Sequence, residues 1–215
     1  MIKIYTVNIP KRTERRSHIV QQFKNKYEFY FKIIKPNIDK TPTISLWKTL
    51  QSVVNIQKNH EDHFFIFCED DHMFTKDYSF EFFNHAIQEA QHLGADILSG
   101  GVSWFQTGIQ ISRNLFWVES FSGLQFTVIF RKFYQKVLDV NDFGEHDAAD
   151  LNISALTDKK FVMYPFISIQ KEFGYSDVTA KNNEGGRVER LFEDTSGRLQ
   201  LLKNVRQFYL PDFQK

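Results

Sequence analysis

The chain has 215 residues, of which 42% are hydrophobic and 16% aromatic, and its 27 Lys and Arg nearly balance 26 Asp and Glu. This length is typical of one domain, and the net charge of +1 argues against a general nucleic-acid-binding protein. The single cysteine, Cys68, excludes an intrachain disulfide and a cysteine-based zinc cluster. No run of about 18 apolar residues occurs, and the residues from Met1 to Val7 lack the pattern of a secretory signal. We therefore expect a cytoplasmic globular protein.

Hydrophobic periodicity predicts alternating strands and helices in the first half of the chain. The predicted elements are a strand at 2–9, a helix capped by Thr13, a strand at 28–35, a helix from Thr43, a fully buried strand at 64–68, a helix capped by Asp77 and a strand at 95–99.

The second half continues the alternation. Its predicted elements are β-like segments at 115–121 and 124–130, helices at 131–139 and 148–157, a strand at 161–169 and a charged helix at 187–210. Together these elements predict an α/β sandwich around a mainly parallel sheet. We expect a main domain of residues 1–186 and a helical appendage of residues 187–215.

Charged residues are segregated along the chain. Residues 1–35 contain nine Lys and Arg and two acids, residues 61–96 contain nine acids and one lysine, and residues 139–150 contain five acids and no base. Scattered surface charge would explain this pattern. It would equally suit a site where cations hold an anion and carboxylates hold a metal ion.

Three consecutive carboxylates, Glu69, Asp70 and Asp71, directly follow the buried strand. Burying three like charges is costly, so we expect them at the carboxyl edge of the sheet, where open α/β sheets bind ligands. In extended backbone Glu69 and Asp71 would point to one side and Asp70 to the other. Glu69 and Asp71 are therefore predicted ligands of Mg²⁺ or Mn²⁺, completed by substrate phosphate oxygens. A polar loop after a strand is the alternative.

Basic residues gather where the first helix begins. They are Lys11, Arg12, Arg15 and Arg16. Cations are unfavourable at a helix N-terminus unless an anion is close, and a diphosphate held by guanidinium groups would supply one. A solvated helix start is the alternative.

A second acidic pair, Asp147 and Asp150, is spaced by three residues and would share one face of a helix. A carboxylate there would suit a general base acting on a hydroxyl group. Ordinary N-terminal helix charge, with Asp147 as the cap, explains the pair equally well.

Taken in order, these motifs resemble glycosyltransferase family 25, which contains lipooligosaccharide galactosyltransferases and collagen-type galactosyltransferases. The resemblance covers roughly residues 2–180. The segments that carry it are Val7-Asn8-Ile9, Glu14-Arg15-Arg16, Leu46-Trp47-Lys48, Phe67-Cys68-Glu69-Asp70-Asp71, Gly123 to Leu138, Asp150-Leu151, Pro165, Gln170 and Ser176-Asp177-Val178.

The resemblance implies a GT-A fold, a nucleotide-sugar donor that is most often UDP-linked, a divalent cation (Mn²⁺ or Mg²⁺) and inversion at the anomeric carbon. The residues it assigns to the donor nucleotide are Asn8, Arg12, Arg15, Arg16 and Asp70. It places Glu69 and Asp71 at the metal.

For the acceptor side, the resemblance implies Asp150 as the general base, with Asp147 as the second candidate. Ser122 and Gly123 are expected to lie against the acceptor or the transferred sugar, because glycine allows close approach. The implied reaction adds a hexose, such as galactose, to a cell-surface glycan or a lipid-linked sugar. Peripheral contact with the inner face of the cytoplasmic membrane is one option for such an enzyme.

Two other functions stay open. The family's Ser-His pair would fall on Pro42-Thr43 and is absent, and the segment from Lys35 to Pro42 is short. These departures motivate the alternative of a catalytically silent nucleotide- or glycan-binding protein. Clustered acids at a strand end would also suit a metal-dependent phosphohydrolase, although that activity explains neither the basic segment nor the later motifs.

Overall fold

The computed structural model describes residues 1–175 and 184–210. In order, its elements are β1 (Ile2–Val7), α1 (Thr13–Phe23), β2 (Phe29–Ile34), α2 (Pro42–Lys58), β3 (Phe64–Glu69), β4 (His72–Phe74), α3 (Phe80–His92), β5 (Ile97–Ser99), β6 (Trp104–Phe105), β7 (Gly108–Gln110), β8 (Leu115–Val118), β9 (Phe121–Ser122), β10 (Phe126–Phe130), a 3₁₀ turn (Arg131–Phe133), α4 (Tyr134–Leu138), α5 (Ala149–Ala155), β11 (Lys160–Met163), β12 (Ser168–Gln170) and α6 (Arg187–Tyr209).

Eight of these strands form one sheet in the order β2-β1-β3-β10-β5-β11-β8-β7. Strand β1 pairs in parallel with β2 and β3, and β5 pairs in parallel with β11. Strands β10 and β8 run against their neighbours, so the other six strands of this sheet point the same way. The structure thus confirms the predicted α/β class, with a central sheet in which most strands share one direction.

Strand β3 is covered on both faces, as its continuous apolar sequence predicts. Phe65 and Phe67 belong to a hydrophobic cluster that also contains residues of α2, α4 and α5. Ile66 and Cys68 belong to a second cluster, with residues of α1 and α3. The strand pairs with β1 on one side and β10 on the other, which fixes the position of the residues at its carboxyl end.

Several predicted boundaries are wrong for local reasons. Helix α3 is capped by Ser79 and not by Asp77, because residues 75–78 form a separate turn in which the Asp77 amide donates to the Thr75 hydroxyl. Helix α1 begins at Thr13 without a side-chain cap. The predicted strand at 161–169 is two strands, and β12 leaves the main sheet to pair with β4. Pro165 lies between them and has no amide hydrogen to donate to a sheet.

Helix α6 begins next to Glu172, which follows β12, and packs against β12, β6 and the edge strand β7. Its buried residues are Val188, Phe192, Thr195 and Leu199. The Glu172 carboxylate accepts hydrogen bonds from the amides of Gly186 and Val188 (2.7 and 2.6 Å), and these bonds lower the pKa of Glu172. The last turn exposes Phe208 and Tyr209. The division of the chain into a domain and an appendage at residue 186 stays a prediction.

Alanine substitutions at two glycines, Gly101 and Gly197, test the packing of this fold. A Cβ at Gly101 would lie 2.1 Å from the Ser168 carbonyl oxygen, whereas a Cβ at Gly197, inside α6, would meet nothing within 4 Å. We expect Gly101→Ala to lower the free energy of unfolding by about 2–3 kcal/mol, since backbone must move. Gly197→Ala should raise it by about 0.5–1 kcal/mol through helix propensity. Urea unfolding followed by circular dichroism measures both. Wild-type stability in Gly101→Ala would contradict the close approach.

Candidate active site

A cavity of about 710 Å³ opens at the carboxyl ends of β1 and β3. Its wall is built from chain segments far apart in sequence, which are residues 7–15, 35–46, 69–71, 122–124, 148–150 and 170–175. This is the edge of the sheet at which open α/β folds bind ligands, because the backbone ends of parallel strands and the loops after them converge there.

Most of the predicted site residues line this cavity. Those present in its wall are Arg12, Arg15, Glu69, Asp70, Asp71, Ser122, Gly123 and Asp150. Asn8 is buried next to Asp70. Arg16 is exposed on α1 outside the wall, and the exposed Asp147 lines a separate pocket around residues 139–152.

Asp70 is held by two partners inside the protein. The Asn8 side-chain amide donates to its Oδ2 (2.8 Å), and Arg15 Nη1 donates to its Oδ1 (3.1 Å). The same Arg15 nitrogen lies 3.3 Å from Asp71 Oδ2. The predicted alternation of side chains therefore fails after Glu69, because Asp70 and Asp71 form the turn between β3 and β4 and one guanidinium reaches both.

Arg15 is fixed from its other side by the segment that follows β12. Its Nη2 donates to the Tyr175 carbonyl (2.9 Å), and the guanidinium carbon lies 4.8 and 4.7 Å from the ring centres of Phe173 and Tyr175. Burial alone would lower the pKa of Arg15, but Asp71 and Asp70 outweigh burial and raise it. The guanidinium is thus a permanent, nearly immobile positive charge at the cluster.

The other two carboxylates of the triplet, Glu69 and Asp71, have too little positive charge around them to offset their burial. Burial raises the pKa of Glu69 well above its usual range, and the charges of Asp71, Asp150 and Asp70 raise it further. Burial also raises the pKa of Asp71 to about 6, although Arg15 opposes that rise. Asp71 Oδ1 is buried and has no hydrogen-bond partner among the residues that the structure describes. A further cation at this cluster would be favoured electrostatically.

These residues fit a metal ion that shares its coordination with a ligand. In the ranges 1–175 and 184–210, no three His, Cys, Asp or Glu side chains form a metal-binding group. Glu69 and Asp71 can supply two carboxylates, which is typical of Mg²⁺ sites that are completed by water and substrate phosphates. The unpartnered oxygen of Asp71 supports this use. The described residues alone do not form a closed, all-protein metal site.

Asp150 enters the cavity from the first turn of α5. Its Oδ2 accepts hydrogen bonds from the Ser122 hydroxyl and the Gly123 amide (2.8 Å for the amide), and its Oδ1 accepts from the Leu151 amide (2.9 Å). A carboxylate has about four acceptor positions, so one remains for a ligand hydroxyl. Gly123 has φ +116°, and a Cβ there would lie 2.7 Å from Gln125 Oε1, so a side chain at this position would be strained.

None of the predicted site residues lies in the outer wall of the cavity, at residues 35–41. Residues 35–41 follow β2 and are tied to α2, since the Asn37 side chain donates to Ser52 (2.7 Å) and Asp39 pairs with Lys48. Ile38 in this segment is 97% exposed and lines the cavity. An apolar residue between Asn37 and Asp39 was the available signal. The family motif Ser176-Asp177-Val178 lies outside the described residues.

No family model matches the chain, and no curated protein does. Among solved structures, it is similar to HddC from Yersinia pseudotuberculosis, with 13% identity and a TM-score of 0.45 over 92% of this chain and 78% of that one. It is also similar to apo UDP-glucose pyrophosphorylase, with 10% identity and a TM-score of 0.45 over 91% of this chain and 81% of that one. For UDP-glucose pyrophosphorylase complexed with UDP-glucose, the identity is 8% and the TM-score is 0.47, over 93% of this chain and 81% of that one. At these identities and TM-scores, the similarity assigns neither a family nor an activity to this chain.

The raised pKa values predict how stability depends on pH. Between the usual carboxyl range and about pH 6, folded Glu69 and Asp71 hold protons that the unfolded chain has released, so the apo protein should lose stability as pH rises. The Asp71→Asn variant lacks the titratable carboxyl group. The difference between its melting temperatures at about pH 5 and about pH 7.5 should therefore be smaller than that of the wild type. Thermal unfolding with a chelator present measures it. Asp147→Asn, outside the cluster, is the control. Equal narrowing in both variants would contradict the cluster effect.

Proposed function

We propose that this protein is a glycosyltransferase that moves a hexose, such as galactose, from a nucleotide diphosphate sugar to a hydroxyl group of a glycan, with inversion and with help from a divalent cation. One observation carries the proposal. Glu69 and Asp71, at the end of β3, share a single cavity with Asp150 from α5. The two groups of carboxylates suit the two ends of such a reaction. The choice of UDP as the nucleotide comes from the family resemblance.

At the donor end, Glu69 and Asp71 would hold Mn²⁺ or Mg²⁺. A divalent cation supplies a Lewis acid that stabilises negative charge on a leaving diphosphate. The cavity wall also carries basic side chains that would lie near phosphate oxygens, which are Arg12, Lys35, Lys40 and Lys171. Arg15 is less suited to bind the diphosphate directly, because its contacts with Asp70, Asp71 and Tyr175 already use its terminal nitrogens.

At the acceptor end, Asp150 would accept the proton of the attacking hydroxyl. The hydroxyl oxygen forms a bond with the anomeric carbon while the bond from that carbon to the diphosphate oxygen breaks, and the diphosphate leaves with the electron pair. The hydrogen bonds from Ser122 and Gly123 orient the carboxylate during this step. The cavity favours Asp150 over Asp147, whose carboxylate accepts from the Gly144 amide (2.7 Å) in a turn outside the wall.

The acceptor would be a cell-surface glycan or a lipid-linked sugar, as the family resemblance implies. None of the helices in the described parts of the chain combines the length and hydrophobicity needed to cross a bilayer. A cytoplasmic location and peripheral contact with the membrane stay predictions.

Titration calorimetry with UDP tests the donor end. We expect UDP to bind the wild type in the presence of Mn²⁺ and not in its absence, because a diphosphate and a carboxylate cluster repel each other without a cation. Asp71→Ala should abolish this binding, and Asp147→Ala should leave it unchanged. Equal binding without metal would show that Glu69 and Asp71 are not metal ligands. Nucleotide binding without transfer to any acceptor would favour the catalytically silent alternative, and phosphate release from simple esters would favour a phosphohydrolase.

Substitution of Asp150 tests the acceptor end. Asp150→Asn keeps the shape of the side chain and removes its ability to take a proton. We expect kcat for sugar transfer to fall about 10²- to 10⁴-fold, while UDP affinity stays within about twofold of wild type. Asp147→Asn should transfer at the wild-type rate. A loss of UDP binding and of thermal stability in Asp150→Asn would instead assign Asp150 to holding residues 122–123 against α5.

A further inference from the structure

Arg15 is a buried positive charge in direct contact with Asp71, one of the proposed metal ligands. Its side chain is 8% exposed and bridges two carboxylates, Asp70 and Asp71. Each oxygen of Asp70 has a partner, and Asp71 Oδ2 faces Arg15, but no residue in the described ranges 1–175 and 184–210 is a hydrogen-bond partner of Asp71 Oδ1. Within the described residues, Asp71 therefore has one oxygen paired with Arg15 and one without a partner.

We propose that Arg15 is a built-in counter-ion that competes with the divalent cation for Asp71 and thereby makes cation binding depend on the nucleotide. The inference rests on the metal site proposed above. While Arg15 remains in place, Asp71 offers a single oxygen to a cation. The guanidinium charge also repels a cation at that oxygen.

The surroundings of Arg15 keep it from moving away when a cation arrives. Its Nη2 is bonded to the Tyr175 carbonyl, and its guanidinium packs against the rings of Phe173 and Tyr175. Asp70 holds it from the opposite side and is itself fixed by Asn8. The repulsion is thus present before and after binding, unlike that of a lysine free to swing into solvent.

A fixed repulsive charge has a functional consequence. The cation binds weakly when it enters alone, because Arg15 has already neutralised part of the cluster. A diphosphate brings negative charge that outweighs the repulsion, so cation and nucleotide bind cooperatively, and each raises the affinity for the other by the same factor. The chain then avoids holding a metal ion at an empty donor site.

Manganese binding to the metal-free protein tests this inference, with free Mn²⁺ measured by electron paramagnetic resonance. We expect Arg15→Gln and Arg15→Met to bind Mn²⁺ alone about tenfold more tightly than wild type, since a unit positive charge is removed close to the ligand. Arg15→Gln keeps a donor for Asp70 and serves if Arg15→Met does not fold. Both neutral variants should also show a smaller gain in Mn²⁺ affinity when UDP is added.

Two controls separate charge from structure. Arg15→Lys keeps a positive charge but loses the contacts that fix it, so its affinity for Mn²⁺ should lie between those of wild type and the neutral variants. Arg16→Met removes an exposed charge from the same helix and should stay within about twofold of wild type. Unchanged or weaker Mn²⁺ binding in the neutral Arg15 variants, with Mn²⁺–UDP binding intact in wild type, would overturn the inference and leave the proposed function standing. Absence of Mn²⁺ binding in every protein, even with UDP, would overturn the metal site itself and the inference with it.

Discussion

The charge of three consecutive carboxylates at the end of a strand buried on both faces is the constraint on which the rest of the site depends. Buried carboxylates persist only when partners offset the loss of water. Asp70 obtains Asn8 and Arg15, each from the chain that leaves β1. Glu69 and Asp71 obtain much less, so burial raises their pKa values and the charges of neighbouring carboxylates add to the rise. Asp70 is therefore held rigidly by its partners, whereas the charges of Glu69 and Asp71 are only partly compensated.

The same constraint explains why distant segments meet here. Arg15 satisfies Asp70 only because α1 begins directly after β1, which lies next to β3 in the sheet. The segment with Phe173 and Tyr175 reaches Arg15 because β12 pairs with β4, the short strand that follows the carboxylates. The Lys171 amide also donates to the Asp71 carbonyl (2.8 Å). Strand pairing thus brings the carboxylates, Arg15 and the rings of Phe173 and Tyr175 into one region.

The sequence predicted the parts of this arrangement that depend on local pattern. Alternation of hydrophobic periods located most helices and strands, and the abrupt change from Phe64–Cys68 to three acids located the carboxylate cluster at the sheet edge. It could not show that Asp70 and Asp71 share Arg15, because that contact depends on a turn and on the neighbouring strand. It named no site residue in the wall at residues 35–41 for a similar reason, since the shape of this wall comes from side-chain bonds to α2. The sequence also could not decide between Asp147 and Asp150, because that choice depends on where α5 begins. Asp150 lies in the first turn of α5, and Asp147 precedes the helix.

Strand β3 is hydrogen-bonded on both sides, whereas residues 35–41 and 170–175 border the cavity from outside the main sheet. Substitutions in those outer segments can reshape the space offered to a ligand without shifting the register of the strand that carries the carboxylates. Residues 35–41, which make no contact with the carboxylates described above, are therefore the part of the wall most open to such change. Such a scaffold can exchange one ligand for another over evolutionary time while its buried sheet stays the same.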